Sequence, residues 1–446
     1  MRTMHALIIA AAIPLVASKN GERLWNLECP LGTWDGTQVW NPKEVFQPSN
    51  ADDVVKIVQK AVQSSPPRKV KAVGGGFTHD PLGTPEDILI CTNKLVGDFQ
   101  LDTEKKTITV MAGMHTGDLM DFMAAHQIFI EGFLQVPKFR IGGVLSAGVG
   151  PINREHPLYK SMESIQIVDG MGNLLDVTPE SHLWMAMGGG LGLTGIIVQA
   201  TFKYQEAFKA TKRLIRFESL EDALQKSDDL VDASLSWEFW WTPKCRHPGR
   251  KCFEAETTVF QWVKTESVTK NSSWGDVLWE KIDWWPRIET LYVEEDVCST
   301  SEKPLNWSTP TTPAPCHTEF SLRFPSSYLS QAMHSFVDAL ANKEFSAAPV
   351  TILFWASGST NQAAKLDTFL RPSDYDVKYE YKKFFDNLGI PGLKYYPPKE
   401  VEMTIAQCPP QLLRKELDPH NIFINEFTKI CENSPDSNSF WPPQWP

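Results

Sequence analysis

The sequence predicts an α+β fold built from two parts. From about Trp40 to Tyr204 short strands and helices alternate, and three glycine-rich segments fall within this stretch. From about Ala207 the composition changes and tryptophans become frequent. The predicted boundaries are a signal peptide at 1–18, a first domain at 19–205, a second domain at 206–385, and a C-terminal segment with an irregular tail at 386–446.

The first elements follow from local signals. Asn50 is placed to cap a helix in which Val54, Val58 and Ala61 recur on one face, and Pro66-Pro67 is expected to end it. Residues 70–73 form the next predicted strand, which runs directly into three glycines. Further predictions are strands at 88–92 and 107–112 and a helix at 119–125.

The tryptophans of the second part allow two interpretations. They can line a sugar-binding cleft, because aromatic faces stack on the C–H surfaces of pyranose rings, or they can form the core of the domain. The residues concerned are Trp237, Trp240, Trp241, Trp274, Trp279, Trp284, Trp285 and Trp307.

Composition excludes some classes of function. The 446 residues are 42% hydrophobic and 22% charged, as in ordinary globular proteins, and carry a formal net charge of −11. Nucleic-acid binding requires a basic face that displaces counterions, so we predict no nucleic-acid partner. The same charge argues weakly against docking to anionic lipid.

The N-terminus resembles an export signal. Arg2 precedes an apolar run from Ala6 to Val16, and small residues at 16–18 suit a signal peptidase. We expect cleavage near Ser18, a secreted product and no membrane span after signal removal; an uncleaved anchor is the alternative. Asn271 and Asn306 are glycosylation acceptors of the N-x-S type.

Eight cysteines in an exported chain indicate disulfides, whose pairing cannot be deduced from sequence. The first disulfide pairs to test are Cys245 with Cys252 and Cys298 with Cys316. A zinc site is not predicted, because no C-x-x-C spacing occurs.

The three glycine-rich segments indicate a large anionic ligand. The first, at 73–78, directly follows a strand, so that successive backbone N–H groups can converge on a phosphate. The second, at 141–148, is interpreted as a loop with a hydroxyl donor at Ser146, and the third lies at 188–195. Each segment alone is typical of a tight turn; three within some 120 residues favour a large anionic cofactor.

The third segment contains G-x-G-x-x-G at Gly190, Gly192 and Gly195. A Rossmann site requires a strand before this motif and a helix after it. Here a helix-like stretch at 182–187 precedes it and a strand at 196–204 follows. We therefore reject a Rossmann site.

These segments, taken in order, resemble the FAD-binding domain of the vanillyl-alcohol-oxidase (PCMH-type) superfamily. More narrowly, the chain is similar to sugar-lactone and alditol oxidases such as gulonolactone and arabinonolactone oxidases. Residues 73–78 resemble the family's V-G-x-G-H-S loop, 142–148 its G-G-x-x-S-x-G segment and 190–196 its G-L-G-x-x-G-V/I segment. Residues 112–119, 239–243 and 417–425 resemble its A-G…L, F-x-W-x-P and L-D-P-x-x-x-F-x-N signatures.

The resemblance implies a PCMH-type FAD-binding domain, an α/β substrate (cap) domain, and a C-terminal segment that returns to the FAD domain. It implies FAD as cofactor, with the following cofactor-binding residues: Gly74, Gly75, Gly76, Phe77, Thr78, Gly142, Gly143, Ser146, Gly148, Gly195 and Ile196. Phe77 stands where the family often has a histidine bonded to the flavin, so FAD is expected to be bound non-covalently. A bond through His79 would require a shifted loop.

The catalytic candidates also come from the resemblance. Glu319 and Arg323 alternate with apolar residues in a predicted strand at 317–324, although the family often spaces this pair more closely. A surface ion pair is the alternative interpretation. The family's late H-W-x-K motif is not recognisable, and Lys394 is the candidate for its lysine.

The implied activity is oxidation of a hydroxyl group of a small-molecule substrate (a sugar lactone, polyol or related alcohol), with molecular oxygen as acceptor. Arg323 or Lys394 would polarise the substrate oxygen and Glu319 would orient it. The alternatives are a tailoring oxidase of secondary metabolism and a non-catalytic secreted binding protein of the same fold.

Overall fold

A computed structural model describes much of the chain, and for the strands between 236 and 370 and at 394–396 it gives mainly the backbone. The described residues are 29–33, 38–78, 81–133, 138–148, 158–187, 189–217, 222, 226, 236–241, 257–264, 276–284, 318–325, 328–342, 344–346, 351–356, 363–370, 377–391, 394–396 and 408–433. Several predictions lie outside them: the signal peptide, His79, Asn271, Asn306, the four cysteines tried first as pairs, and the tail from 434.

A three-stranded parallel sheet opens the fold. It has the order β1-β3-β2, with strands β1 (Glu44–Phe46), β2 (Val70–Val73) and β3 (Ile88–Cys91). Helix α1 (Ala51–Val62) connects β1 to β2, and the Asn50 side chain caps it by accepting from the N–H of Asp53 at 2.9 Å. Its buried face consists of Val54, Val58 and Ala61, as predicted.

A five-stranded antiparallel sheet forms the second layer, in the order β4-β5-β9-β7-β8. Its strands are β4 (Gln100–Asp102), β5 (Thr107–Met111), β7 (Met162–Val168), β8 (Leu174–Val177) and β9 (Ile196–Lys203). A separate pair consists of β6 (Ile128–Phe129) and β10 (Gln205–Glu206). Helices α2 (Thr116–Ala125) and α3 (Ile141–Ala147) contribute to the core on this sheet.

Helix α3 corrects one prediction, because residues 141–147 were interpreted as a loop. The N–H groups of its first two residues bond to distant backbone: Ile141 donates to Met114 O at 3.1 Å and Gly142 to Ala112 O at 2.8 Å. These long-range bonds hold a helix start that local sequence does not indicate.

An eight-stranded antiparallel sheet follows, in the order β14-β11-β13-β12-β16-β17-β15-β18. Its strands are β11 (Lys209–Phe217), β12 (Ser236–Trp241), β13 (Thr257–Lys264), β14 (Asp276–Trp284), β15 (Thr318–Pro325), β16 (Thr351–Ala356), β17 (Ala363–Leu370) and β18 (Lys394–Tyr396). Helices α4 (Leu329–Ala341) and α5 (Val377–Asn387) pack together through Phe336, whose ring centroid lies 5.0 Å from that of Tyr381. The mixture of helices and sheets confirms the α+β class.

The C-terminal residues lie against the first sheet. After helix α6 (Gln411–Leu417), the carbonyl of Ile422 accepts from the N–H of Val70 on the edge strand β2 at 2.8 Å. Asn425 Nδ2 donates to the carbonyls of Leu82 and Thr84 at 3.2 and 2.9 Å. Asp418 accepts from the N–H groups of Ile422 and Phe423, both at 2.9 Å, which holds this turn in place.

Two disulfides are present in the described part of the chain. Cys29 pairs with Cys91 across a Cα–Cα distance of 5.6 Å, and Cys408 pairs with Cys431 across 5.3 Å. The expectation of disulfides is confirmed, although both pairs differ from those tried first. No helix among the described residues combines the length and apolar character needed to cross a membrane.

Candidate functional site

A cleft of about 1090 Å³, its open mouth included, lies where the glycine-rich segments meet. All the predicted cofactor-binding residues except Gly148 line it: Gly74, Gly75, Gly76, Phe77, Thr78, Gly142, Gly143, Ser146, Gly195 and Ile196. Gly148 instead ends α3 in a left-handed conformation, with φ of 63°.

One wall of the cleft is the loop after β2, which is packed too closely for side chains. A Cβ on Gly74 would lie 3.2 Å from the Arg140 side chain, and one on Gly75 would lie 2.7 Å from the Phe77 ring. Gly76 has φ of +72°, and its added Cβ would lie 2.8 Å from the carbonyl oxygen of Gly32. The backbone itself therefore forms this surface of the cleft.

Helix α3 forms a second wall of the cleft. Gly142 packs on Ala112, where an added Cβ would lie at 3.0 Å, but a Cβ on Gly143 would meet no atom within 4 Å. Because Gly143 also lines the cleft, the missing side chain leaves space for a ligand beside the helix backbone.

The third glycine-rich segment is bonded to the C-terminal half of α3. The N–H of Leu191 donates to Ser146 O at 2.8 Å, and that of Gly189 to Leu145 O at 3.0 Å. A 3₁₀ helix (His182–Ala186) precedes the segment and β9 follows it, which confirms the order used to reject a Rossmann site.

Two buried cations line the cleft, and sequence reasoning identified neither. Arg140 packs on the glycine loop and donates through Nη1 to the carbonyl of Gly113. Burial lowers the pKa of Arg140 to about 10, so the guanidinium remains charged at pH 7. Lys71, on β2, is 4% exposed, and burial lowers its pKa to about 7.

Trp40 and Phe423 also line the cleft and were missed. A signal existed for Lys71, because it shares a strand face with the buried Val73 just before the glycines. Phe423 belongs to the L-D-P-x-x-x-F-x-N signature, and Asp418 of the same signature bonds its backbone. Nothing local indicated Trp40.

Phe77, which the resemblance sets where a flavin-linked histidine was expected, lies in the wall of the cleft. Its ring centroid lies 5.2 Å from that of Phe139, which also lines the cleft. A phenyl ring has no nucleophilic atom that could bond to a flavin.

The catalytic candidates lie in the eight-stranded sheet. Arg323 on β15 is directly opposite Lys394 on β18, and on its other side it is opposite Lys365 on β17. Glu319 lies four residues earlier on β15, opposite Phe369. The register thus brings Arg323 and Lys394 to adjacent positions and adds Lys365, which sequence reasoning did not single out.

The donors around the cleft fit FAD. Glycine backbone and two buried cations suit a pyrophosphate, and the buried indole N–H of Trp40 requires an acceptor. Consistent with this chemistry, a family model described as "FAD binding domain" matches residues 42–178. This part of the chain is an FAD-binding domain, and FAD is its cofactor.

Curated relatives are sugar-lactone oxidases. The chain is 27% identical over 282 residues to D-arabinono-1,4-lactone oxidase of Eremothecium gossypii, covering 58% of this chain and 50% of the relative. It is 29% identical over 258 residues to the enzyme of the same name from Candida glabrata, covering 55% and 46%. L-gulonolactone oxidase of Bos taurus is 24% identical over 213 residues, covering 47% and 48%. The chain thus spans about half the length of these relatives.

Proposed function

We propose that the protein is a secreted FAD-dependent oxidoreductase that oxidises a hydroxyl group of a sugar lactone, polyol or related alcohol, with oxygen as the electron acceptor. The observation that carries the proposal is the cleft of the FAD-binding domain, where the open face of Gly143 lies beside the tightly packed glycine loop. The names of the relatives, lactone oxidases from yeasts and mammals, supply the substrate class.

Bound flavin supplies the acceptor for a hydride from the substrate carbon. The protein's own contribution is to bind, orient and polarise. The glycine loop and α3 offer backbone and the Ser146 hydroxyl to the cofactor. The adjacent register of Arg323 and Lys394 supports a shared role in stabilising negative charge on the substrate oxygen, with Glu319 orienting the hydroxyl.

Non-covalent attachment of FAD is part of the proposal and rests on Phe77. Purified protein should be yellow, and acid precipitation should release its flavin into the supernatant. Flavin that stays with the precipitated protein would contradict non-covalent binding and would direct attention to His79.

The activity is tested by hydrogen peroxide release across a panel of lactones, alditols and phenols. Glu319→Gln should lower kcat without loss of flavin colour, because the cofactor cleft is unchanged. Glu206→Gln, at an exposed residue of β10, is the matched control and should behave as wild type. Equal turnover in Glu319→Gln and wild type would remove Glu319 from the site.

A tailoring oxidase of secondary metabolism is the second candidate, and the unrecognisable H-W-x-K motif favours it. Peroxide release from phenols but not from lactones or alditols would support this candidate. Colourless protein that cannot take up FAD would favour a non-catalytic binding protein.

Secretion is supported by the two disulfides in the described residues, because such bonds persist in oxidising compartments. Sequencing the N-terminus of protein recovered from culture medium tests the proposal. We expect a start near Ser18, whereas retention of the full chain in the cell pellet would contradict it.

A further inference from the structure

Lys71 carries a buried amino group close to the glycine loop. The residue is 4% exposed and lines the cleft just before the glycine loop. Within the described chain, its Nζ has no hydrogen-bond partner. Buried charged groups in proteins are normally paired. The amino group of Lys71 is therefore available to bind a ligand.

The charged groups around Lys71 are engaged elsewhere. Asp418 attracts it, but both carboxylate oxygens of Asp418 accept from backbone N–H groups. Glu86 also attracts Lys71, and its Oε1 accepts from the N–H of Glu426 at 2.9 Å. Lys69 repels it, and the Nζ of Lys69 donates to Asn421 O at 2.9 Å.

Trp40 is a second buried donor in the same cleft. It is 5% exposed, and Nε1 has no hydrogen-bond partner among the residues that the structure describes. A Cβ on Gly83 would lie 3.2 Å from the indole ring, so the ring is fixed by packing. Two donors without an acceptor call for a ligand that presents acceptor oxygens.

We propose that Lys71 and Trp40 bind the phosphate-bearing half of FAD, with the Lys71 ammonium on a phosphate oxygen and the Trp40 N–H on a neighbouring acceptor. The proposal rests on the assignment of the cleft to FAD. The pyrophosphate is the anionic part of the cofactor, and Lys71 precedes the glycine loop by only three residues.

Proton uptake follows from this arrangement. Burial lowers the pKa of Lys71 to about 7 in the free protein, and a phosphate beside it would raise that pKa again. Near pH 8, the protein should therefore take up about one proton from solution for each FAD that it binds. Affinity should fall as the pH rises above 7, because binding then requires protonation of a neutral amine.

The test compares the flavin-free full-length chain with Lys71→Met, which keeps the apolar stem and removes the charge. Titration with FAD at pH 6.5, followed by flavin fluorescence, should show affinity lowered about ten- to hundredfold. Calorimetry at pH 8 in buffers of different ionisation enthalpy should show no proton uptake in this variant. Lys56→Met removes an exposed charge on α1 that neither lines the cleft nor acts on Lys71, and it should retain the wild-type affinity and proton uptake.

Two smaller probes locate the contact. Lys71→Met should weaken binding of ADP and leave riboflavin binding unchanged. Trp40→Phe, which keeps a ring and removes the N–H, should weaken FAD binding about three- to tenfold.

Without FAD at pH 6, Lys71→Met should melt at a higher temperature than wild type, because it removes a buried unpaired charge.

Equal FAD affinity and proton uptake in wild type and Lys71→Met would overturn this proposal while leaving the FAD site intact. Weaker riboflavin binding with unchanged ADP binding would also overturn it. Wild-type protein that binds no FAD would overturn both the site and the proposal.

Discussion

A methyl group on Gly76 would lie 2.8 Å from the carbonyl oxygen of Gly32, whereas one on Gly143 would meet no atom within 4 Å. Both glycines line the same cleft, Gly76 on the loop after β2 and Gly143 on α3. In the loop, glycine lets the backbone pack against the protein; in α3, it leaves space for a ligand. A glycine-rich sequence does not distinguish these two roles, but the two walls should respond differently to substitution.

The largest expected effect comes from removing the disulfide that holds the residues packed against the glycine loop. Cys29 and Cys91 tether residues 29–33, and Gly32 and Pro30 pack on Gly76. Replacing both cysteines with serine should cost about 4 kcal/mol of unfolding free energy, because the bond closes a loop of 62 residues. Chemical denaturation measures the loss, and FAD affinity should fall with it.

The second disulfide is the matched control. Serine at Cys408 and Cys431 should cost about 3 kcal/mol, because that bond closes a loop of only 23 residues. FAD affinity should be retained, since this bond does not tether the residues that pack on Gly76. An equal loss of affinity in both double variants would show that the N-terminal tether has no specific role at the cleft.

Filling the open wall should separate binding from folding. Gly143→Leu places a side chain in the cleft and should cost about 3 kcal/mol of FAD binding, roughly a hundredfold in Kd. The melting temperature of the flavin-free protein should not fall. Unchanged FAD affinity would mean that the ligand does not approach α3.

Adding a methyl group to the packed wall should reduce folding and binding together. Gly76→Ala combines a left-handed backbone (φ +72°) with the close contact to Gly32, and should cost roughly 2 kcal/mol of stability. Gly389→Ala shares the left-handed conformation (φ +64°) but has no atom within 4 Å of the added Cβ. Thermal denaturation of both variants isolates the packing contribution, and equal losses would contradict a tightly packed loop.

The smallest expected effect has the opposite sign. Gly143→Ala should stabilise the flavin-free protein by about 0.5–1 kcal/mol, because alanine favours the helix and its methyl group meets nothing. FAD binding should weaken slightly. A loss of stability would show that the space beside Gly143 is filled by protein.

Local signals in the sequence predicted much of the region around the cleft. The Asn50 cap, the apolar face of α1 and the strand before the first glycines are all present, because each depends on neighbouring residues. The convergence of three glycine-rich segments was also anticipated, through their resemblance to a family.

Features that depend on distant contacts were missed. Helix α3 has two adjacent glycines and no side-chain cap, and its start is held by Met114 and Ala112. The disulfides join cysteines 62 and 23 residues apart, whereas sequence reasoning favoured close neighbours. Trp40 and Lys71 come to the same cleft only through contacts between distant parts of the chain.

Hydrogen–deuterium exchange of the full-length protein, with and without FAD, tests the central claim most directly. FAD should slow amide exchange in 74–78, 141–147 and 190–196, while helix α5 provides an internal reference that does not change. Protection confined to other segments, with these three unaffected, would contradict the placement of FAD in this cleft.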